Sequence, residues 1–76
     1  MTAKQKCTQL AAASGVTLTA GGEPFEIVAE APPGKTFACE PGLTALVCSS
    51  WDGEPARNLW ADMHERLSHG LEVEVE

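Results

Sequence analysis

The longest regular pattern of apolar side chains lies near the end of the chain and predicts an amphipathic helix. Over residues 52–70 the apolar positions recur at the three- and four-residue spacing with which an α-helix buries one side. They are Ala56, Leu59, Trp60, Met63 and Leu67. Asp52 or Gly53 can cap the start of this helix, Pro55 suits its first turn, and Gly70 supplies the left-handed conformation that ends it. We therefore predict a long helix that packs against a sheet or a second helix.

A second helix is predicted from Thr2 to Ser14, with Thr2 as its N-cap and Gly15 at its end. Its apolar positions are mostly small residues: Ala3, Cys7, Leu10, Ala11 and Ala13. Small side chains allow close approach to a neighbouring element, so we expect this helix to lie tight against its partner.

Between the helices the pattern changes to the two-residue alternation of β-strands. Residues 16–20 predict a short strand, Gly21 and Gly22 mark a hairpin, and residues 25–31 predict a second strand. One face of the second strand is apolar and is formed by Phe25, Ile27, Ala29 and Ala31. The other face carries Glu26, Val28 and Glu30. This strand should therefore have one buried and one solvated face.

The strands beyond the Pro-Pro-Gly turn at residues 32–34 are open to two interpretations. Residues 35–39 and 43–48 fit two strands of a hairpin, or one long strand interrupted at residues 40–42. Residues 71–76 alternate strictly between apolar and acidic side chains and fit either an edge strand or a frayed end.

This order of elements predicts an α+β fold. Because short connections favour pairing between neighbours, we expect a two-layer sandwich, α-β-β-β-(β)-α, with an antiparallel meander sheet and both helices on one face. The 76 residues make a single small domain spanning residues 1–76. A domain of this size has a net stability of about 5 kcal/mol and little core in which to build a deep active site.

The charge balance argues against direct nucleic-acid binding. Eleven acidic residues against five basic ones give a net charge of −6, and the basic residues form no stripe along the chain. Affinity for phosphate backbones depends on clustered Lys and Arg, so we expect no direct nucleic-acid contact.

The cysteine count and the lengths of the apolar runs indicate the cellular compartment of the protein. Three cysteines are an odd number, and no run of residues has the length and hydrophobicity of a secretory signal or a membrane span. We therefore expect a cytoplasmic protein with reduced thiols and no membrane association.

The residues that could carry metal or thiol chemistry are poorly spaced for it. Cys39 and Cys48 are nine positions apart, and His64 and His69 are five apart on a helix, which turns them about 140° from one another. A Cys-His nucleophile using Cys7, Cys39 or Cys48 depends on three-dimensional geometry. The apolar setting of Cys7 and Cys48 favours inert packing. We predict no metal, no cofactor and no catalytic residues.

The Gly-Lys-Thr sequence at residues 34–36 does not form a phosphate-binding loop. The upstream glycine of such a loop is missing, and a strand is predicted where a helix must follow. A turn accounts for these residues.

The chain shows two resemblances to known proteins, one in its element order and one in two short segments. Its element order is similar to the α-β-β-β-α order of double-stranded RNA-binding domains, which carry a Lys-rich start to their second helix. Residues 52–55 are acidic at that place, so RNA binding is not implied. Residues 10–18 and 51–60 resemble small uncharacterised proteins of tailed phages and prophages, which implies a cytoplasmic accessory role and no active-site residues.

The sequence therefore favours a function carried by side chains on the protein surface. The candidate partner-binding residues are Glu26, Val28, Glu30, Trp51, Glu72, Glu74 and Glu76. Trp51 fits either a hydrophobic staple at the helix start or an exposed anchor for a partner, whereas Trp60 belongs to the core.

The main hypothesis is a small acidic, non-enzymatic protein-interaction or accessory domain with a protein partner. Rows of carboxylates two positions apart could alternatively mimic a nucleic-acid backbone and inhibit a nucleic-acid-binding protein. A Cys/His-dependent metal or thiol enzyme is the third hypothesis. Residues 71–76 could also add to the sheet of a second copy and form a homodimer through an edge strand.

Overall fold

The structure is a computed structural model that describes residues 1–50 and 56–74, except for the side chains of residues 56 and 57. In chain order the elements are α1 (Ala3–Ser14), β1 (Thr17–Gly21), β2 (Glu26–Glu30), β3 (Lys35–Phe37), β4 (Ala45–Ser49), α2 (Ala56–Ser68) and β5 (Leu71–Val73). The predicted α+β class is confirmed. The segment 71–76 forms a strand over its first three residues, and residues 75 and 76 lie outside the description.

Both ends of α1 follow from local side-chain chemistry. The Thr2 hydroxyl accepts a hydrogen bond from the Gln5 backbone N–H at 3.2 Å, and the Gln5 side chain accepts one from the Thr2 N–H at 2.9 Å. This reciprocal pair is a capping box, which satisfies N–H groups that have no partner within the helix. Gly15 ends the helix with a φ of 77°, a left-handed conformation that glycine adopts without strain. The predicted limits of this helix are confirmed.

The strands form two sheets, which differs from the single meander expected from sequence. The first sheet has the order β1-β2-β4 with antiparallel pairing, and β3 pairs with β5 in a separate antiparallel sheet. The two consecutive prolines at residues 32–33 cannot donate to a ladder, and the Lys35 N–H closes a turn onto the Pro32 carbonyl at 3.1 Å. This turn leads the chain out of the first sheet. Residues 35–49 therefore contribute two strands, one to each sheet.

One apolar core lies between the helices and the inner face of the β1-β2-β4 sheet. The buried residues are Cys7, Ala11, Val16, Ile27, Ala29, Phe37, Leu46, Cys48, Leu59, Trp60, Met63 and Leu67. They confirm the predicted burial of the apolar stripe from Leu59 to Leu67 on α2. The inner-facing residues of β2 and β4 belong to the same cluster as the buried residues of both helices, as expected for helices on one face.

The buried side of α1 is narrower than predicted. Cys7 and Ala11 are buried and Ala3 and Leu10 pack against the core, but Ala13 is exposed. Ala13 lies two positions after Ala11, about 200° around the helix, which points it away from α2.

Lys4 and Trp60 join the two helices at their surface. The Lys4 Nζ lies 5.8 Å from the centroid of the Trp60 ring, within the range of a cation–π interaction. Trp60 is otherwise buried, so its ring both fills the core and receives a cation from α1. None of the helices in the described part of the chain is long and apolar enough to cross a membrane.

Phe37 fixes the second sheet to the core, because its side chain is completely buried although β3 lies outside the first sheet. We expect Phe37→Ala to lower the free energy of unfolding by about 3–5 kcal/mol, since it removes a large ring and leaves a cavity. That loss is close to the whole stability of a small domain. Urea unfolding followed by circular dichroism measures it.

Leu43→Ala is the matched control, because Leu43 is an exposed apolar residue in the turn that precedes β4. Its loss should be below about 1 kcal/mol. Equal losses for the two variants would contradict the placement of Phe37 in the core.

Candidate partner-binding surface

The hydrogen bonds between β2 and β4 determine which of their residues are directly opposite each other. The Ala31 N–H donates to the Thr44 carbonyl at 2.8 Å, and the Ser50 N–H donates to the Phe25 carbonyl at 2.9 Å. In this register Val28 and Val47 are directly opposite each other, midway between hydrogen-bonded pairs. The side chains of Ile27 and Ala29 point into the core, so those of the intervening residues point to the other face.

An apolar pair therefore lies at the centre of the outward face of the β1-β2-β4 sheet. Val47 is 50 % exposed and Val28 is half-buried. The Cα atoms of such non-hydrogen-bonded pairs are about 4.5 Å apart, which brings the two side chains together. On the other side, Val28 is opposite Thr19 of β1.

Two carboxylates flank this apolar pair. Glu26 and Glu30 lie two positions before and after Val28, about 6.6 Å away along the strand and on the same face. Glu30 is exposed and Glu26 is half-buried. A depression of about 340 Å³ runs between β1 and β2 and is lined by Thr19, Ala20, Gly21, Gly22, Glu26 and Val28. We call Thr19, Glu26, Val28, Glu30 and Val47 the outer sheet face.

The second predicted acidic row lies in the other sheet. Glu72 of β5 is opposite Thr36 of β3, and both Glu72 and Glu74 are exposed. With Thr36, Gly42 and Val73 they line a depression of about 380 Å³. The structure thus places the predicted residues Glu26, Val28 and Glu30 on one surface and Glu72 and Glu74 on another. Trp51 and Glu76 lie outside the described residues, so the two interpretations of Trp51 stay open.

The sequence analysis did not identify two members of the outer sheet face, Thr19 and Val47, and Val47 is the one that completes the apolar pair. Residues 45–48 are all apolar, so no polar alternation marks the outward position. The signal that could have found it is the pairing of this segment with β2, whose solvated face was already defined by Glu26 and Glu30.

The three cysteines lie in or against the apolar core. Cys7 is completely buried, and burial together with the neighbouring Cys48 raises the pKa of the Cys7 thiol from 9.0 to about 11. Cys48 is buried and Cys39 is half-buried. Among residues 1–50 and 56–74, no three His, Cys, Asp or Glu side chains come together as metal ligands.

None of the known protein families, characterised proteins or solved structures compared with the chain matches it. The resemblances to double-stranded RNA-binding domains and to phage proteins therefore stay predictions.

The raised pKa of Cys7 makes stability depend on pH in the alkaline range. A folded-state pKa above the unfolded value contributes stability that is complete below about pH 9 and is lost as the pH rises toward 11. The two pKa units correspond to about 2–3 kcal/mol. We expect the free energy of unfolding to fall over this range, as measured by urea titration at several pH values.

Cys7→Ala is the control, because alanine keeps a small apolar side chain at the same position and does not ionise. This variant should lose most of the decline between pH 9 and 11 relative to the wild type. An undiminished decline in the variant would show that other groups cause it.

Proposed function

We propose that this chain is a small acidic, non-enzymatic interaction domain that binds a protein partner through its outer sheet face. One observation carries the proposal: Val28 and Val47 form an outward-facing apolar pair, with Glu26 and Glu30 at its two ends. An apolar centre with a charged rim is the usual composition of a protein–protein contact.

The charges favour a particular kind of partner surface. The flanking carboxylates and the net charge of −6 attract a partner that carries Lys or Arg around an apolar side chain. Such charges raise the rate of association and weaken binding at high salt.

The size of the face indicates weak, reversible binding. Each of its strands has five residues, which extends about 16 Å, and the three strands cover about 10 Å between their outer axes. This is well below the roughly 800 Å² that each partner buries in a standard interface. A contact of this kind suits a transient accessory role.

The proposal of a non-enzymatic role is supported by the cysteines. A thiolate is the reactive form of cysteine, and the high pKa of Cys7 keeps that thiol protonated at neutral pH. Cys7 and Cys39 are free thiols, which supports a reducing compartment such as the cytoplasm.

The nucleic-acid mimic is the less favoured alternative. A mimic needs one continuous row of exposed carboxylates, whereas the two rows among the described residues belong to different sheets and Glu26 is half-buried. The apolar pair between Glu26 and Glu30 also has no counterpart in a phosphate backbone.

Val47→Lys tests the proposal, since it places a positive charge at the centre of the outer sheet face without touching the core. Ala12→Lys is matched to it in charge and lies at an exposed position on α1. Each variant and the wild type are immobilised and exposed to lysate of the source cells at low and high salt. We expect a protein that the wild type and Ala12→Lys retain equally, and that Val47→Lys retains about tenfold less.

Unfolding curves of the three proteins establish that each is folded before the comparison. Equal retention by both lysine variants would refute the outer sheet face as the binding surface. Retention by the wild type that does not weaken at high salt would refute the role of the carboxylates.

A further inference from the structure

The hydrogen bonds between β3 and β5 leave one edge of β5 open. The Ala38 N–H donates to the Gly70 carbonyl at 3.1 Å, and the Glu74 N–H donates to the Gly34 carbonyl at 2.9 Å. In this antiparallel register the even-numbered residues of β5 bond to β3. The main-chain groups of Leu71 and Val73 therefore point away from β3.

No described residue bonds to those outward groups. On β3, in contrast, the outward N–H groups have hydrogen-bond partners. The Phe37 N–H donates to the Leu43 carbonyl at 3.0 Å, and the Lys35 N–H donates to the Pro32 carbonyl at 3.1 Å. Within the described ranges, β5 pairs with β3 alone, and Val73 is 67 % exposed. The outer edge of β5 thus presents a donor and an acceptor at each of two alternate residues.

Acidic side chains lie next to this edge and favour an added strand that carries basic side chains. Glu72 and Glu74 are exposed and project from the same face of β5. A strand added antiparallel to this edge would bond to Leu71 and Val73, so its residues opposite Glu72 and Glu74 would occupy non-hydrogen-bonded positions. Side chains are closest at those positions, and opposite charges there stabilise the pair.

We propose that the outer edge of β5 binds an extended segment of a partner protein by strand addition, and that this segment carries Lys or Arg at alternate positions. Main-chain hydrogen bonds to Leu71 and Val73 hold the segment. The ion pairs with Glu72 and Glu74 set its register and exclude acidic segments. This site is separate from the outer sheet face and does not depend on it.

A second copy of the chain fits this edge poorly. A two-fold dimer pairs the two β5 strands antiparallel, and the outward groups are at odd-numbered residues in both copies. Odd residues must then pair with odd and even with even. In the register that pairs the whole of both β5 strands, Glu72 lies opposite Glu72 of the other copy, and like charges directly opposite each other are destabilising. The strand β1 also lies at the edge of a sheet. It could not select a partner strand by charge, because Thr17–Gly21 contains no charged residue.

The test uses the full chain, labelled with ¹⁵N, and short capped peptides as probes. The first peptide alternates valine and lysine, the second alternates valine and glutamate, and the third repeats the first with N-methyl groups on its valines. N-methylation removes the main-chain donors that strand addition needs and leaves the lysines unchanged. Binding is measured by titration, and exchange protection of the Leu71 and Val73 amides reports its location.

Two protein variants separate the main-chain contribution from that of the charges. Val73→Pro removes an outward N–H and no bond to β3, since prolines are tolerated on the open side of an edge strand. A double variant, Glu72→Lys with Glu74→Lys, reverses the charge. Ala12→Lys on α1, which belongs to neither proposed site, is the control and should bind the lysine peptide nearly as well as the wild type does.

We expect the lysine peptide to bind the wild type with protection of the Leu71 and Val73 amides. Affinity should fall roughly fivefold or more with N-methylation, with Val73→Pro and with the glutamate peptide. The double variant should prefer the glutamate peptide. Equal binding of the N-methylated peptide would overturn strand addition, and an unchanged preference in the double variant would overturn the role of the carboxylates. A dimer that Val73→Pro dissociates would overturn the proposed partner in favour of a second copy.

Discussion

The packing of α2 against α1 and the inner sheet face is the contact on which the rest of the structure depends. Leu59, Trp60, Met63 and Leu67 are all buried there. In a domain this small they form a large share of the core, and the net stability is a small difference between large terms. Small residues on α1, with Cys7 and Ala11 buried, allow the two helices to approach closely.

This packing also determines which surfaces are left for function. The inner face of β2 and β4 is covered by the helices, so the residues between the core positions must face solvent. Because β3 pairs with β5 and not with the first sheet, the two strands form a second sheet. Among the described residues, no strand pairs with the outer edge of β5. The two proposed binding sites are therefore consequences of the same fold, one a sheet face and the other a strand edge. Both are acidic at their margins.

The sequence predicts what depends on local periodicity. The two helices, the Thr2 cap, the Gly15 end and the two faces of β2 are confirmed, because each is determined by residues close together in the chain. The partner of β3 is not predicted, since it depends on a strand more than thirty residues away. The position of Val47 is missed for a related reason: an apolar strand shows which residue faces outward only after its pairing is known. The contribution of Trp51 and Glu76 to partner binding stays a prediction.

Native-state hydrogen exchange tests the central role of the α2 packing most directly. We expect the amides of Met63 and Leu67 on α2 to exchange with the same free energy of opening as the amide of Ile27, which bonds to β4. That common value should equal the free energy of global unfolding from urea titration. If the α2 amides exchange through an opening of much lower free energy while Ile27 stays protected, then α2 is not an integral part of the core. The surfaces assigned here would then be wrong as well, because the inner sheet face would be accessible.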